Sequence, residues 1–419
     1  MILLIKLFLV LLVIYTILCL YRGEKFILIY KKTKKKSEEK YYNNKKKIII
    51  ALPLLREQAC IEETVKHFNN IAKGIPIVLI TTQKEIMENT RNEITTQTII
   101  KNKILPQYNN VYWINYPYTN GYMADQLNYM LKNLELIFSD SIDLKNTYLA
   151  LYNADSRPGV NTFKEIEGKL QDENKVIQQY SYCMLNYDKL NWILKGFAIY
   201  QSNFEIKTGL INGILSNDLF YTHVVGHGLI IELDTLKNLG NFNTHFWCED
   251  IYLGLQLKFN SLKITPLMNL ENIETPDSIK KIIKQNSVWF KTTSQFLKIY
   301  VDIKKEGQAK NKLKGFLGML NEFKCAVNWI GFPLLLLAIL TIALIMKKYI
   351  LLTSILIAYC IYIIVNALIT IRIINVLDNQ NYKINFKMIA GLFVATAISN
   401  MGPIYSIIVN NKEKYKTER

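Results

Sequence analysis

Four apolar runs bracket this 419-residue chain and leave a polar middle between them. Met1–Leu20 is apolar except for Lys6, and Tyr21-Arg22 follow at once. A secretory signal carries its charge first and a small-residue cleavage site after the apolar run. Here the basic residues come after it, so the run reads as an uncleaved anchor over residues 1–22. Its C-terminal flank holds Lys31, Lys32, Lys34, Lys35 and Lys36, then Lys45, Lys46 and Lys47. Basic flanks stay on the cytoplasmic side, which makes 23–46 a basic juxtamembrane linker and places the middle of the chain in the cytoplasm. Three further runs, about Cys325–Met346, Tyr349–Ile371 and Met388–Val409, are each long enough to cross a hydrocarbon core of about 30 Å. The first two are joined only by Lys347-Lys348, which forces a tight hairpin. Four crossings put the C-terminus outside, against the charge rule, because Lys412, Lys414, Lys416 and Arg419 lie there. A last run broken by Asn400, Gly402 and Pro403 that re-enters instead of spanning would remove the conflict; both readings stay open for the C-terminal region, 325–419.

Just before these runs, Leu313, Phe316, Leu317, Leu320 and Phe323 recur at helical spacing among Lys310, Lys312, Lys314 and Lys324. This pattern predicts an amphipathic helix within 301–324 that lies in the membrane surface; the competing reading is a helix packed on the soluble domain. The net charge of +17 comes almost wholly from Lys, with Arg only at 22, 56, 91, 157, 372 and 419. Arg is the residue of bidentate phosphate readout, so this balance speaks against nucleic acid as a partner. It fits a face held against anionic lipid, and equally an AT-rich genome that writes Lys, Asn and Ile wherever they are tolerated. Six scattered Cys, with no CxxC, are not a disulfide framework and point to a reducing compartment.

Residues 47–300 contain no long apolar run. Lys47–Leu52, Pro76–Thr81, Val111–Ile114 and Thr147–Tyr152 read as buried strands, with helices at Glu57–Asn70 and Met123–Leu136. Such alternation predicts an α/β domain with a mainly parallel sheet. In these sheets a ligand sits beyond the carboxyl ends of the strands, where Asn153-Ala154-Asp155 follows the fourth strand.

Several short motifs fall in order along this domain: Ala51-Leu52-Pro53-Leu54-Leu55-Arg56-Glu57, Gly121-Tyr122-Met123-Ala124-Asp125-Gln126-Leu127-Asn128, Asn153-Ala154-Asp155-Ser156-Arg157-Pro158, Gly226-His227-Gly228, Glu249-Asp250-Ile251-Tyr252-Leu253-Gly254, and Gln285 with Trp289. Together they resemble the family 2 inverting glycosyltransferases of the GT-A (Rossmann-like) fold, in the membrane-integrated branch related to cellulose, chitin and hyaluronan synthases. The resemblance implies that Asp155, the second Asp of a DxD motif, holds a divalent cation, Mg²⁺ or Mn²⁺, on the donor diphosphate. It implies that Asp250 is the general base that deprotonates the acceptor hydroxyl. Glu57, Asn153 and Asp125 would meet the donor. Gln285, Trp289, His227 and Glu249 would meet the acceptor, with Trp289 stacked on its sugar. Of the acidic pair only one member can face the acceptor if the segment is a strand or loop, because neighbouring side chains there point apart.

The chain departs from that pattern at three places. Asn153 stands where the first Asp of the motif is usual, Ile80-Thr81-Thr82 ends the second strand without the Asp residues that read a nucleoside, and Val288 replaces the Arg of the late motif. Lys195, Arg157 or Lys284 could restore the missing cation. Other readings compete residue by residue: Asp155, Asp250 and Asp125 are residue types common at helix caps and turns, and Trp289 could be an interfacial anchor. His223, His227, His245 and Cys248 carry metal-ligating groups, but Val224-Val225-Gly226 is a poor helix for an i,i+4 pair. The expectation is an integral membrane enzyme, with the cell membrane of a bacterium favoured. It would transfer a hexosyl or N-acetylhexosaminyl group from a nucleotide sugar, UDP-sugar favoured, to a lipid-linked or growing glycan of a cell-surface polysaccharide. The few spans point to short products or to help from partner subunits or a homo-oligomer. A non-catalytic scaffold that binds nucleotide sugars is the alternative. A transporter is disfavoured by the lack of charges inside the spans, apart from Arg372 near an end.

Overall fold

A computed structural model of the chain describes residues 2–37, 46–89, 93–216, 220–307 and 309–409. Lys45, Lys412, Lys414, Lys416, Arg419 and the side chains of Lys34, Lys35 and Lys36, on which the charge argument drew, lie outside the described part. The strands are β1 (Lys47–Pro53), β2 (Ile77–Thr82), β3 (Val111–Tyr116), β4 (Thr147–Leu151), β5 (Arg157–Pro158), β6 (Val176–Gln178), β7 (Ser181–Tyr182), β8 (Leu229–Glu232), β9 (Ile264–Pro266) and β10 (Glu271–Asn272). Seven form one sheet in the order β3-β2-β1-β4-β8-β6-β9, and β5-β10-β7 form a small second sheet. In the large sheet only β8 runs against its neighbours β4 and β6; β1, β2, β3 and β4 pair in parallel. The α/β architecture with a mainly parallel sheet is therefore as the sequence led one to expect, with each of the first four strands within two residues of its expected ends.

The register explains why these strands are apolar almost without interruption. Ile48, Ile50 and Leu52 of β1 turn to one face of the sheet, where they meet Phe68, Tyr148 and Phe163. Ile49 and Ala51 turn to the other, with Val78, Ile80, Leu127 and Leu149. A parallel sheet covered on both faces must bury both sets. The second of these cores runs on without a break into the membrane-type helices, taking in Phe26, Ala367, Ile373, Leu392 and Ala395.

Among the described residues four helices are long and apolar enough to cross a membrane: Ile2–Thr33, Lys312–Ile345, Tyr349–Leu377 and Phe386–Ile408. Two of them run through boundaries expected from composition. The first helix continues as Ile2–Ser37 past residue 22, and the expected surface helix is the front part of the continuous Lys312–Ile345. A helix satisfies its backbone internally, so a change of surroundings along it need not interrupt it. On that front part Gly315, Gly318 and Met319 turn inward, while Leu313, Phe316, Leu320 and Phe323 are exposed. The last apolar run is one helix, Phe386–Ile408, with Pro403 inside it.

Close helix approach joins the sheet domain to these helices. Gly196, in helix Trp192–Phe204, lies so near Gly391 of the last helix that an added Cβ would meet the Gly391 carbonyl. Gly402 of the same helix leaves comparable room for Asn286. Small residues that let backbones approach are the usual means of packing membrane helices.

Candidate active site

The chain leaves β4 at Leu151 and turns back within four residues. The Ser156 amide donates to the Asn153 carbonyl, 3.1 Å, and the Asn153 amide donates to Ser156 Oγ, 3.1 Å. The Arg157 guanidinium donates to the Ala154 and Ser156 carbonyls, 3.3 and 3.0 Å, and Thr64 Oγ1 also bonds the Ala154 carbonyl. Arg157 thus braces the turn. Held this way, Asp155 is 1% exposed, and its Oδ2 accepts the Glu274 amide at 3.1 Å. Asn153 is half-buried beside it.

Glu57 follows β1. It is buried, its amide donates to Thr96 Oγ1 at 2.8 Å, and it faces the same cavity as Asp155. Arg56 before it has φ of 58°, the left-handed region that a side-chain-bearing residue enters only when the surroundings impose it. Its amide is held by Glu85 Oε2 at 3.0 Å and its guanidinium pairs with Glu88. Asp125 has a different place. Its Oδ2 accepts the Tyr122 amide at 2.7 Å at the start of helix Met123–Lys132, a capping box, and it does not line the cavity, although Tyr122, Met123 and Gln126 do. Asp125 is thus positioned as a helix cap.

The acidic pair opens helix Glu249–Phe259 after Cys248 in extended conformation, and Thr292 Oγ1 accepts the Cys248 amide at 3.1 Å. Neighbours on a helix are about 100° apart, so the two carboxylates do not diverge as on a strand, and both line the cavity. Asp250 Oδ2 accepts the Gly226 amide at 2.9 Å and Oδ1 its neighbour Ile251 amide at 2.8 Å. A Cβ at Gly226 would lie 3.4 Å from Asp250 Oδ2 and 3.6 Å from Glu249 Oε1, ordinary contact distances, so both carboxylates border this glycine. Burial pushes the Asp250 carboxyl above its ordinary range, against the opposing pull of those two amides and of His223 and His227.

His227 pairs through Nδ1 with the buried carboxylate of Glu271 on β10. Burial alone would lower its pKa, but the charge and hydrogen bond of Glu271 outweigh it and push the imidazole up to about 9. His227 is therefore a cation at neutral pH on the wall shared with Asp155 and Asp250. The partner that makes it so was not evident in the sequence, since 44 positions separate the two. His223 belongs to another pair, with Glu205 at 3.9 Å, and its ring stacks on Tyr180.

Gln285, Val288 and Trp289 lie on helix Ile279–Thr293 and line the cavity. That helix is fixed to the last membrane-type helix by the bond from Asn286 Nδ2 to Ser399 Oγ, 3.1 Å. The cation missing at Val288 is not restored by Lys195, Arg157 or Lys284, none of which lines this cavity. Arg56, Lys84 and the protonated His227 do, at its sheet end.

The cavity measures about 1390 Å³ and is continuous from Asp155 and Asp250 to Tyr15, Phe332, Tyr362 and Thr396 on the four apolar helices. Among the described residues no three His, Cys, Asp or Glu side chains converge as a ready metal cage. A Mg²⁺-like ion is commonly held by one or two carboxylates plus substrate phosphates, and the oxygen donors Asp155 and Asn153 fit that arrangement.

No family model matches this chain, and no curated protein matches it. Solved structures resemble it at low identity. The mannosyltransferase PcManGT from Pyrobaculum calidifontis in complex with GDP-Man and Mn²⁺ has a TM-score of 0.46 and 12% identity, over 94% of this chain and 99% of that one. S. aureus TarS 1-349 has 0.42 and 10%, over 81% and 94%. Glucosyl-3-phosphoglycerate synthase from Mycobacterium tuberculosis, in complex with Mn²⁺, UDP and glucosyl-3-phosphoglycerate, has 0.32 and 13%, over 55% and 71%. Overlaps of this size do not carry an activity or a ligand over to this chain.

Proposed function

We propose that this chain is a membrane-anchored inverting glycosyltransferase of the GT-A kind, acting at the cytoplasmic face on a lipid-linked or growing glycan acceptor of a cell-surface polysaccharide. The observation that supports it most is the shared cavity. Asp155 at the end of β4, Asp250 at a helix start and the four apolar helices all border one space. The donor is a nucleotide sugar, UDP-sugar favoured, whose diphosphate lies at Asp155, Asn153 and Glu57. Asp155 and Asn153 would hold Mg²⁺ or Mn²⁺ against that diphosphate, and such an ion supplies neutralisation of the charge that builds on the leaving group.

Asp250 takes the proton of the acceptor hydroxyl as its oxygen bonds the anomeric carbon from the side opposite the diphosphate. The bond from that carbon to the diphosphate oxygen breaks, and the nucleoside diphosphate leaves with the electron pair. A base whose pKa is raised towards the working pH takes a proton more effectively than an ordinary carboxylate, and burial does this for Asp250. The cationic His227 supports the departing negative charge from the same wall. Gln285, Trp289 and Glu249 border the acceptor path, and Trp289 offers its ring face to a sugar. The exposed apolar row Leu313, Phe316, Leu320 and Phe323 fits a segment lying in the membrane surface.

The test is a panel of nucleotide sugars given to purified full-length protein with Mg²⁺ or Mn²⁺, with release of nucleoside diphosphate as the readout. One donor should be turned over, and Asp155→Ala should lose the metal-dependent part. Silence with every donor would sink the catalytic reading and favour a scaffold.

A further inference from the structure

The membrane end of the cavity has chemistry of its own. Lys207 sits in the π-helical turn Glu205–Ile211, and its side chain lines the cavity. Its Nζ lies 4.7 Å from the centroid of the Tyr15 ring and 5.4 Å from that of Tyr362, and donates to Asn366 Oδ1 at 3.3 Å. The Cys19 thiol is its other neighbour. None of these groups is a carboxylate. Arg22 lines the same end and donates to Asn212 Oδ1 at 2.9 Å and Ser216 Oγ at 3.0 Å, again neutral partners. Among the described residues neither cation has a carboxylate partner. Glu205, the cavity-lining carboxylate on the same turn as Lys207, faces His223 at 3.9 Å instead.

Burying a charge is costly unless an opposite charge accompanies it. An aromatic cage relieves part of that cost for Lys207, but not as an anion would. The level of the pair is informative. Tyr15, Cys19 and Arg22 lie on one face of the first helix at i, i+4 and i+7, where its apolar run ends. Tyr362 and Asn366 lie ten and six residues before Arg372, about 15 and 9 Å along their helix, and Arg372, which ends the apolar run of that helix, pairs with Glu24. Two cations without a carboxylate partner among the described residues are thus held between apolar helices, Arg22 at the end of the first helix's apolar run and Lys207 deeper among the rings, and both open into the space that leads to the base.

We propose that this end of the cavity binds the phosphate or diphosphate of a lipid-linked acceptor, with Lys207 and Arg22 as its cationic contacts and the lipid chain among the apolar helices. This rests on the glycosyltransferase reading for the word acceptor, but not for the anion site. It selects a lipid phosphate over an uncharged glycan as the species that enters the cavity.

The experiment measures binding of a long-chain polyprenyl phosphate to the full-length protein in zwitterionic nanodiscs, against polyprenol lacking the phosphate and against inorganic phosphate as competitor. Polyprenyl phosphate should bind and polyprenol should bind at least about tenfold more weakly, the range of a charge-assisted contact. Lys207→Met keeps an unbranched side chain inside the cage without its charge and should lose a similar factor, while Lys207→Arg and Arg22→Lys should retain most of the affinity. Unfolding temperature and elution profile show whether each variant is folded. If the Met variant fails to fold, Lys207→Gln carries the same expectation. Equal binding of polyprenol, or unchanged binding in a folded Lys207→Met or Lys207→Gln, would overturn the proposal. Full displacement by millimolar inorganic phosphate would overturn the lipid source and leave a site for a soluble phosphate. Donor turnover is scored separately on the same preparations. Loss of all donor turnover with lipid phosphate binding intact refutes the glycosyltransferase reading alone; the reverse refutes the anion site alone.

Discussion

The two ends of the cavity are built on opposite plans. At the sheet end, carboxylates are buried and held by backbone amides: Asp155 by Glu274, Asp250 by Gly226 and Ile251. At the membrane end, cations are held by neutral side chains and aromatic rings. Amides fix a carboxylate without neutralising it, so the groups at the sheet end remain available to a proton or a metal. Rings and amide side chains do the same for a cation, leaving it available to an anion. On the proposed reading the contrast gives the cavity a direction, chemistry at one end and capture at the other, and it can be broken at either.

The largest expected effect is at the sheet end. Asp250→Asn keeps size and hydrogen bonding but cannot accept a proton, and should lower transfer by about 10²–10⁴-fold while donor affinity stays within a few-fold. Near-normal transfer by a folded Asp250→Asn would place the base elsewhere. In the wild type, transfer should fall on acidification as Asp250 takes up its proton, and at a higher pH than for an ordinary carboxylate because burial raises it.

The next effect concerns His227. The folded protein holds its proton more tightly than the unfolded chain does, up to about 9 against an ordinary 6.5. The stability this confers is fully present below about pH 6.5 and is lost as pH rises through about 9. Glu271→Gln removes the charge responsible, so unfolding temperature should drop at neutral pH and lose most of its dependence between pH 7 and 9. The expected loss is roughly 1.5–3 kcal/mol, the range of a charged hydrogen bond. An unchanged alkaline profile in Glu271→Gln would mean that His227 is neutral in the folded protein.

A third effect tests how firmly the two ends are joined. Gly196→Leu must push apart the backbones that meet at Gly391, and overpacking of this kind costs about 1–3 kcal/mol. Because the domain core is continuous with the last two helices, the loss should appear as a lower unfolding temperature of the whole protein. A separate, earlier transition of the helices alone would show that the two parts are only loosely coupled.

How much of this was legible in the sequence follows from where each signal lies. β1 to β4 are strongly apolar runs ended by polar residues, and local composition suffices to find them. β5, β7 and β10 are two residues long, too short for any periodicity, and they exist because β10 is paired on both sides. With β10 goes Glu271, and so the charge on His227. The acidic pair stands out in the sequence, but its helix does not, because a helix whose first residues are Glu-Asp after a buried Cys lacks the usual Ser or Thr start signal. Lys207 is silent in the sequence. Nothing near it in sequence marks it, and its cage is assembled from two distant helices. The sequence carried the sheet and the order of motifs; what it lacked were pairings made only by tertiary contact.

The smallest expected effect decides between two roles for one residue at the sheet end. Asp125 sits in a motif whose resemblance points to the donor, yet its carboxylate accepts the Tyr122 amide at 2.7 Å. Removing a helix cap typically costs about 0.5–2 kcal/mol, and the first turn it supports carries Met123 and Gln126, which do line the cavity. Asp125→Ala should therefore lower the unfolding temperature slightly and leave donor affinity nearly unchanged once the protein is folded. Asp125→Asn can still accept the amide hydrogen through its side-chain oxygen, and should behave as wild type in both measurements. If the carboxylate instead met the donor, both variants would weaken donor binding to a similar degree, because both remove the charge, while only Asp125→Ala would affect stability. The pair of variants separates a cap from a ligand contact, and a parallel loss of donor affinity in both would show that the sheet end uses one more carboxylate than its geometry assigns.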